Sequence, residues 1–422
     1  MDSLRFAPVS RRAFLRAGAL ALVSLGLDPL FLDRAAFARE PAAPGRRRVL
    51  VCLFQRGAVD GLSMIVPHGD PLYYRERPRI AIPADQALDL DGHFGLHPAL
   101  SGLLPMWRQG ALAPVLAVGS PDLTRSHFDA QDYMESGTPG VKSTADGWLN
   151  RCAQHAAEHK NTVFQSVAFG PQLPRILAGS APALAITDLR AFGIRAGGPG
   201  VRDKLTRAFE QLYNESATGI VASSAAEGFQ AVQTLQRIQP AEYRPENGAE
   251  YPKGKLGSSL MQSAQLIKAD IGLEQAFADA GGWDTHIAQG AGEGQLATRL
   301  RELGDSLEAF ALDLGDRMRD VVVLTMSEFG RTVAENGSIG TDHGHATAMF
   351  VMGGGVRGGR VAGQWPGLDP AQQFQGRDLA VTTDFRDLFG EILVRHAGAS
   401  DLTAVFPGHD ASPDRFPGVM TA

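Results

Sequence analysis

The feature that most constrains this chain is an almost unbroken apolar run from Val49 to Gln55. A strand with one wet face alternates apolar and polar residues, whereas a strand buried on both faces is apolar almost throughout. Similar runs recur at Ala111 to Val118 and at Val321 to Met326, with helical spacing between them. Strands that alternate with helices predict an α/β fold, in which a mostly parallel sheet is sandwiched between helices.

Shorter patterns predict the remaining elements. From Leu296 to Leu314 an apolar residue recurs every three or four positions, which predicts one long amphipathic helix. The polar segment Glu242 to Lys255 predicts a loop. We expect one large domain, residues 49–422, with helical insertions. Its other predicted strands are Val163 to Phe169, Ala183 to Ile186 and Ala346 to Met352, and its other predicted helices are Pro98 to Trp107, Lys204 to Tyr213, Ile220 to Ile238, Leu256 to Phe277 and Ala380 to His396.

Composition narrows the class of protein. Apolar residues make up 44% of the 422 positions, which is enough to bury a large core. A net charge of −6 argues against a nucleic-acid partner, because phosphate binding needs a basic face. Of the two cysteines, Cys52 lies inside the first apolar run, which favours a buried free thiol. A disulfide between Cys52 and Cys152 stays open for an exported protein.

The first 38 residues have the three parts of an export signal. Ser10 to Arg16 holds an arginine pair, an aromatic residue, a leucine and a further base, as in twin-arginine signals. The apolar run Ala17 to Leu27 is too short to span a bilayer but has the length of a signal-peptide core. Ala36 to Ala38 has a small–x–small pattern, so we place the cleavage after Ala38 and interpret residues 39–48 as a linker.

This signal predicts where the protein works. The twin-arginine export machinery carries folded cargo, so we expect a folded protein in the periplasm or outside the cell, with no stable membrane span after cleavage. Export in the folded state suits a protein that takes up a metal or cofactor first. The alternative interpretation is a short amphipathic helix with two surface arginines.

Four short stretches concentrate the polar residues that could carry chemistry. In open α/β sheets ligands bind at the carboxyl ends of the strands, and two of these stretches follow predicted strands directly. The stretches are Gln55 to Gly61, Ser126 to Asp132, Gly281 to His286, and Ser327 to Arg331 with its continuation Gly340 to His345.

Carboxylates and imidazoles in these stretches predict a metal site. Asp284 and His286 are two residues apart, as are His343 and His345, and on extended backbone such a pair points the same way. Together with Asp342 they offer donors suited to zinc, manganese or iron. Either pair alone could equally be part of a surface turn.

The remaining candidates each have two interpretations. Glu328 ends a buried strand, where a carboxylate is costly unless it binds a metal or pairs with a cation such as Arg331. Arg56 and Arg331 could clamp the oxygens of an anionic substrate, or Arg56 could pair with Asp60. In a further short stretch, Ser126 and His127 could act as nucleophile and base, although no third group that would orient them is identifiable.

Taken in order, these stretches resemble an exported bacterial family known as domain of unknown function 1501. The likeness extends from about Val49 to the end of the chain. The family is similar to the alkaline phosphatase and sulfatase superfamily, which implies an alkaline-phosphatase-like sheet with metals at the strand ends. The motifs that carry the resemblance are Val51 to Pro67, Ser126-His127-Phe128 with Gln131, Gly282 to His286, Ser327 to Thr332 and Gly340 to His345.

The resemblance also implies roles for individual residues. Glu328 stands where a metal-binding aspartate follows a central strand, and His343 or His345 stands near a later histidine ligand. Asp284 and His286 match the ligand pair between them. The aspartate expected at the end of the first strand is replaced by Gln55 and Arg56, so Asp60, which follows later, is the candidate metal ligand from this stretch. Ser126 is the best candidate for the nucleophile.

Three functions follow from these motifs. The first is a metal-dependent hydrolase of phosphate or sulfate esters, using a divalent ion (zinc, manganese or calcium) on a small anionic ester or a sulfated or phosphorylated glycan. The incomplete ligand set supports the alternative of a non-catalytic exported binding or assembly protein that retains the fold. A redox protein with an organic cofactor ranks last, because the glycine pattern Gly353 to Gly358 is not followed by a helix.

Overall fold

The computed structural model describes residues 47–155, 162–191, 234–235, 238 and 240–421. The predicted signal segment, most of the linker, the predicted helix Lys204 to Tyr213 and most of the predicted helix Ile220 to Ile238 lie outside these ranges. Within them, no helix has the length and apolar character needed to cross a membrane.

An eight-stranded sheet forms the centre of the described structure. Its strands stand in the spatial order β11-β5-β10-β9-β1-β8-β6-β7, and every strand except β10 runs in the same direction. The predicted mostly parallel sheet is therefore confirmed. Its strands are β1 (Val49–Gln55), β5 (Leu112–Gly119), β6 (Ser166–Ala168), β7 (Leu184–Ala185), β8 (Gln275–Ala280), β9 (Val321–Met326), β10 (Thr347–Gly353) and β11 (Thr383–Asp384). A separate antiparallel sheet contains β2 (Ile65–Val66), β3 (Leu88–Asp89) and β4 (Gly95–Leu96).

Helices cover both faces of the large sheet. The α-helices among the described residues are α1 (Gly61–Met64), α2 (Pro71–Glu76), α3 (Leu104–Arg108), α4 (His127–Ser136), α5 (Trp148–His155), α6 (Lys255–Ala269), α7 (Gln295–Leu314), α8 (Phe385–Arg395) and α9 (Leu402–Val405). Short 3₁₀ helices span Pro98–Leu103, Arg175–Leu177, Leu189–Ala191, Pro240–Glu242, Gly315–Asp320 and Pro413–Arg415. The long helix α7 agrees with its predicted range, whereas the predicted helix at Pro98 begins as a 3₁₀ helix.

The central strand β1 divides its side chains between two cores. Val51 and Leu53 pack into the core that contains the apolar stripe of α7, whereas Cys52 and Phe54 pack into the core that contains α8. All seven residues of β1 are buried. A strand that is covered on two faces needs apolar side chains on both of them, and β1 has them.

Both cysteines are free thiols, so the predicted buried thiol at Cys52 is confirmed and the disulfide alternative is wrong. Burial raises the pKa of the Cys152 thiol to about 12 and that of Cys52 further. Both groups are therefore uncharged at neutral pH and act as small apolar side chains.

One predicted element is wrong in a way that matters for the site. The helix predicted from Leu256 to Phe277 ends at Ala269, and β8 begins at Gln275. Between them Asp270 and Gly272 adopt positive φ, which stops the helix. β8 then pairs in parallel with β1, so the segment after β8 starts at the carboxyl edge of the sheet.

Smaller differences concern strand and helix ends. The predicted strands near residues 163 and 183 are shorter in the structure, and the two around residues 111 and 346 shift by one residue. The helix predicted from Ala380 is preceded by β11 and starts at Phe385, where Asp384 caps it by accepting a hydrogen bond from the Arg386 amide.

The packing of α8 against β1 predicts a pH-dependent stability. His396, buried after α8, donates from Nε2 to the Val49 carbonyl at 3.0 Å, and burial lowers its pKa from 6.5 to about 4. Between pH 4 and pH 6.5 the unfolded chain binds a proton at His396 that the folded protein does not bind. The contribution of His396 to the free energy of unfolding is therefore complete above pH 6.5 and is lost as the pH falls towards 4. The loss amounts to roughly 3 kcal/mol at about 1.4 kcal/mol for each pKa unit.

The matched variant is His396→Gln, because the glutamine amide can still donate a hydrogen bond but does not titrate. Urea unfolding at pH 7 and pH 4.5 should show a smaller fall in the free energy of unfolding for the variant than for the unsubstituted protein. Equal falls in both proteins would contradict the assignment to His396.

Candidate metal centre

Several chain segments meet at the carboxyl edge of the central strands. Asp284 and His286 follow β8, and His127 opens α4 after β5. His343 precedes β10, and because β10 alone runs in the opposite direction, its beginning lies at this same edge. Residues that are more than 200 positions apart in the sequence are thereby brought together.

The Nε2 atoms of three histidines meet at this edge. His343 Nε2 lies 2.9 Å from His127 Nε2 and 2.9 Å from His286 Nε2. The Asp284 carboxylate lies among them, 3.0 Å from His286 Nε2, 3.2 Å from His343 Nε2 and 3.5 Å from His127 Nε2. Ligand atoms of His127, Asp284 and His343 are close enough together to hold one metal ion.

The other ring nitrogen of each histidine contacts an oxygen. His127 Nδ1 lies 2.8 Å from Glu328 Oε1, His286 Nδ1 lies 3.0 Å from Asp342 Oδ1, and His343 Nδ1 lies 2.9 Å from the Arg125 carbonyl. Ionised carboxylates and carbonyls only accept, so each Nδ1 carries the proton and donates it. In a neutral imidazole the Nε2 then presents a lone pair.

Lone pairs facing each other at 2.9 Å need a positive group between them. A single protonated imidazole would satisfy one of the two short contacts of His343 Nε2 and leave the other without a proton. A cation held by His127, Asp284 and His343, whose ligand atoms are close enough to share one ion, would lie among these lone pairs. The side chains are between 23% and 43% exposed, so such an ion would be reachable from solvent.

Glu328 orients His127 and does not contact the other imidazoles. Its side chain is fully buried, and Oε1 accepts hydrogen bonds from His127 Nδ1 and from the Gly57 amide. Burial opposes ionisation, but the hydrogen bonds, led by that of His127, outweigh it and lower the Glu328 pKa. The same hydrogen bond raises the His127 pKa. The sequence predicts Glu328 as a metal ligand, whereas the structure places it behind His127, on the Nδ1 side of the ring.

Arg331 orients Asp284. Its fully buried guanidinium donates to Asp284 Oδ1 at 2.6 Å and to the hydroxyl and carbonyl oxygens of Thr341. Burial works to raise the Asp284 pKa, but the hydrogen bond and charge of Arg331 outweigh burial and lower it. Each of its three nitrogens donates to a protein oxygen, so the structure pairs Arg331 with Asp284 and Thr341 and not with Glu328.

Asp342 has the corresponding role for His286. Its carboxylate accepts from His286 Nδ1 and, at 3.1 Å, from Asn336 Nδ2. The hydrogen bond from Asn336, followed by that from His286, lowers the Asp342 pKa. The structure therefore places Asp342 behind a cluster histidine, on the side away from the converging Nε2 atoms.

Two glycines allow the loops to approach this closely. Gly57 has a φ of +120°, and a Cβ atom there would lie 2.8 Å from the Asp284 amide nitrogen. At Gly340 a Cβ atom would lie 2.3 Å from the His286 carbonyl oxygen. A side chain at either position would push apart the loops that carry the ligand atoms.

Asp60, predicted as a metal ligand, lies in a different environment. It is 1% exposed and forms an ion pair with fully buried Arg77 at 2.7 Å. Ser63 and Gln289 donate two further hydrogen bonds to its carboxylate. Burial alone would raise the Asp60 pKa, but the charge and hydrogen bonds of Arg77 lower it. Asp60 therefore stabilises the fold as an ion pair.

Arg56 forms its ion pairs with carboxylates other than Asp60. Its guanidinium contacts Asp279 Oδ2 at 2.7 Å and Glu135 Oε1 at 2.9 Å, and it lies over the Phe54 ring. The predicted ion pair between Arg56 and Asp60 is therefore wrong. As the guanidinium is already bound to two carboxylates, the structure places Arg56 in a supporting network next to α4.

His345 and Ser126 make no hydrogen bond to the converging nitrogens among the described residues. His345 is buried and stacks on Phe374, with ring centroids 4.4 Å apart, and burial lowers its pKa. The chain bends at His345 itself, so the two-residue spacing from His343 does not point both rings the same way. Ser126 is exposed at the N-cap of α4, and its hydroxyl does not cap the helix.

Sequence reasoning did not assign a role to some supporting residues. Gln131 follows His127 by four positions on α4, and its Nε2 donates to the same Glu328 oxygen at 2.8 Å. That spacing places both side chains on one helix face, so the signal was present in the sequence. The Arg125 carbonyl, which fixes His343, carries no sequence signal because every residue has one.

The comparison with protein families agrees with these motifs. The family model described as "Protein of unknown function (DUF1501)" matches residues 113–416. The chain belongs to this family. The matched segment contains His127, Asp284, His286 and His343, whereas β1 lies before it. A comparison with curated proteins found no match.

Solved structures show only distant likeness to this member of the family. Ps i-CgsB in complex with k-i-k-neocarrahexaose has a TM-score of 0.38 at 8% identity, over 85% of this chain and 73% of that one. The PsFucS1 sulfatase from Pseudoalteromonas sp. has 0.36 at 10%, over 96% and 77%. A mutant of the alkaline phosphatase PafA has 0.32 at 10%, over 69% and 64%. Because these TM-scores are low, the fold is assigned from the eight-stranded sheet described above and not from these structures.

The ion pair at Asp60 generates a stability prediction. Asp60→Asn leaves the buried Arg77 charge without its partner, so the free energy of unfolding should fall by about 3–5 kcal/mol. Zinc affinity should be retained, because the carboxylate does not reach the converging nitrogens. Denaturant unfolding and equilibrium zinc binding measure the two quantities, and a loss of zinc affinity at unchanged stability would contradict this role.

Proposed function

We propose that this chain is an exported metal-dependent hydrolase of phosphate or sulfate esters. One divalent ion would be held by His127, Asp284 and His343, and His286 Nε2 lies next to this set, 2.9 Å from His343 Nε2. The observation that carries the proposal is the convergence of three imidazole lone pairs and a carboxylate, with every other ring nitrogen occupied by an acceptor. Carboxylate or carbonyl partners on the far ring nitrogen are the usual supports of metal-binding histidines.

The donor set favours zinc. Three imidazole nitrogens and one carboxylate oxygen are typical zinc ligands, whereas calcium takes six to eight oxygen ligands. Neighbouring ligand atoms about 3 Å apart fit bond lengths of about 2.0–2.1 Å to a common centre. Manganese is the second candidate, because it accepts carboxylate and imidazole.

The residues of the site divide the work of hydrolysis between binding and orientation. When bound, the ion supplies Lewis acidity that polarises an ester oxygen and lowers the pKa of water. Glu328 and Arg331 fix the directions of His127 and Asp284 from buried positions, so the ligand atoms need no rearrangement. His127 and Asp284 are partly exposed, which leaves one side of the centre open to a substrate.

The surface next to the site suits the organic part of such an ester. Phe128, which follows His127, is 90% exposed, and Ile287, which follows His286, is 66% exposed. An aromatic ring that is exposed to water has a less favourable free energy than one that is packed against another group. Stacking of a bound sugar ring on it would offset that difference. We therefore favour a sulfated or phosphorylated glycan, whose sugar ring would stack on Phe128.

One observation favours a second candidate function. His286 lies next to the three-residue set, and a fourth protein ligand would close the site in the way that is typical of structural zinc. Ser126, the expected nucleophile, is an exposed N-cap residue whose hydroxyl makes no capping bond to the site-bearing helix. A non-catalytic exported protein that binds the ion and a glycan would have the same ligand set and would turn over no ester.

Metal binding is the first test. Zinc affinity, measured by chelator competition, should fall by more than about 100-fold in His343→Ala, since loss of a ligand costs more than the roughly 10–100-fold loss of a ligand's hydrogen-bond partner. His68→Ala is the control, because His68 pairs with Asp89 away from the cluster. A purified protein that binds no zinc or manganese would refute the proposal, and metal binding without turnover on a broad ester panel would favour the second function.

The role of Phe128 can be tested separately. Phe128→Ala should raise KM for a sulfated or phosphorylated oligosaccharide by about threefold to tenfold, the equivalent of one ring-stacking contact. KM for a small nitrophenyl ester that lacks the sugar should change much less. Leu312→Ala, also an exposed apolar residue, is the control. Equal KM values for Phe128→Ala and the unsubstituted enzyme on the oligosaccharide would exclude the stacking role.

A further inference from the structure

One face of α4 carries three polar side chains that lead from the metal centre into an ion-pair network. His127, Gln131 and Glu135 follow one another at intervals of four residues, so they line the same side of the helix. His127 reaches the converging nitrogens, and Glu135 contacts Arg56 at 2.9 Å. Gln131 lies between them.

The Gln131 amide connects Arg56 to Glu328. Its Oε1 accepts from Arg56 Nη1 at 3.0 Å, and its Nε2 donates to Glu328 Oε1 at 2.8 Å. A guanidinium can only donate and an ionised carboxylate can only accept, so the two ends of the amide are assigned without ambiguity. The same Glu328 oxygen accepts from His127 Nδ1.

We propose that Gln131 is a positioning residue of the metal centre, acting through Glu328 on His127. This inference rests on the metal site of the proposed function. Glu328 directs His127 Nε2 towards the ion only while its own oxygen is held in place. Gln131 supplies that restraint, and Arg56 in turn fixes the orientation of the Gln131 amide.

Only an amide of this length satisfies both neighbours. A carboxylate at position 131 would repel Glu328, and an ammonium would repel Arg56. A shorter amide would not span the two groups, which are each within 3.0 Å of the present one. Arg56 is itself fixed by Asp279 and Glu135, so the restraint ends in a network that does not depend on the ion.

The experiment measures metal binding and compares two matched glutamine substitutions. Gln131→Met keeps the length of the side chain and removes both polar ends. Gln165→Met removes a bond of the same kind, from Gln165 Nε2 to Glu274 Oε2 at 2.8 Å, next to the amino end of β6 at the opposite edge of the sheet. Zinc dissociation constants come from chelator competition, and visible spectra of the cobalt-loaded proteins report on ligand geometry.

We expect Gln131→Met to weaken zinc binding by about 10–100-fold and to alter the cobalt spectrum, because support of a ligand is worth that much. Gln165→Met should lower thermal stability and leave both metal readouts unchanged. If Gln131→Met does not fold, Gln131→Asn is the second variant, with the same expected direction.

Unchanged zinc affinity and an unchanged cobalt spectrum in a folded Gln131 variant would overturn this inference while the proposed function stands. An equal loss of affinity in Gln165→Met would also overturn it, since the effect would then be one of stability. Failure of the unsubstituted protein to bind either metal would instead remove the metal centre, and the proposed function with it.

Discussion

The arrangement of the site depends on one buried charge, the carboxylate of Glu328 at the end of the central strand β9. A carboxylate without partners in this position would cost several kcal/mol, so the chain must supply donors to it. Three of them come from two places that are distant from Glu328 in the sequence: the Gly57 amide after β1, and His127 and Gln131 on successive turns of α4. Satisfying this one group therefore fixes the loop after β1 and the first two turns of α4 against β9. The orientation of His127 follows from the same hydrogen bonds.

The sequence allowed the centre of the fold to be predicted, because a strand covered on both faces has few alternatives. β1 and β9 have the predicted bounds, and α7 agrees to within one residue. β8 was missed because its residues Gln275 to Ala280 continue the spacing of the preceding helix, and only the positive φ at Asp270 and Gly272 separates the two. The spacing of Asp284 and His286 did indicate side chains on one side, whereas that of His343 and His345 did not, since the chain bends at His345.

The polar residues of the four motifs divide into two layers that residue type alone cannot distinguish. Asp284 faces the converging nitrogens. Asp342 and Glu328 instead accept hydrogen bonds from the Nδ1 atoms of His286 and His127, and Asp60 pairs with Arg77. All four are carboxylates near strand ends, and only the three-dimensional partners separate them. Charge pairing was equally hard to predict, because Arg77 lies outside the motifs and still forms the most buried ion pair with one of their members. The partners that decide these roles lie from 17 to 201 positions away in the sequence.

The reversed direction of β10 has a consequence for how many groups one connection can deliver. The segment that leaves β9 returns to the same edge to start β10, so both of its ends border the site, with Glu328 near the first end and His343 near the second. Had β10 been parallel to β9, the chain would have crossed the sheet before pairing. His343 would then precede the strand at the far edge, roughly 20 Å away for a seven-residue strand. A single inverted strand thus lets one return loop deliver two groups to the site, a supporting carboxylate at its beginning and a histidine near its end.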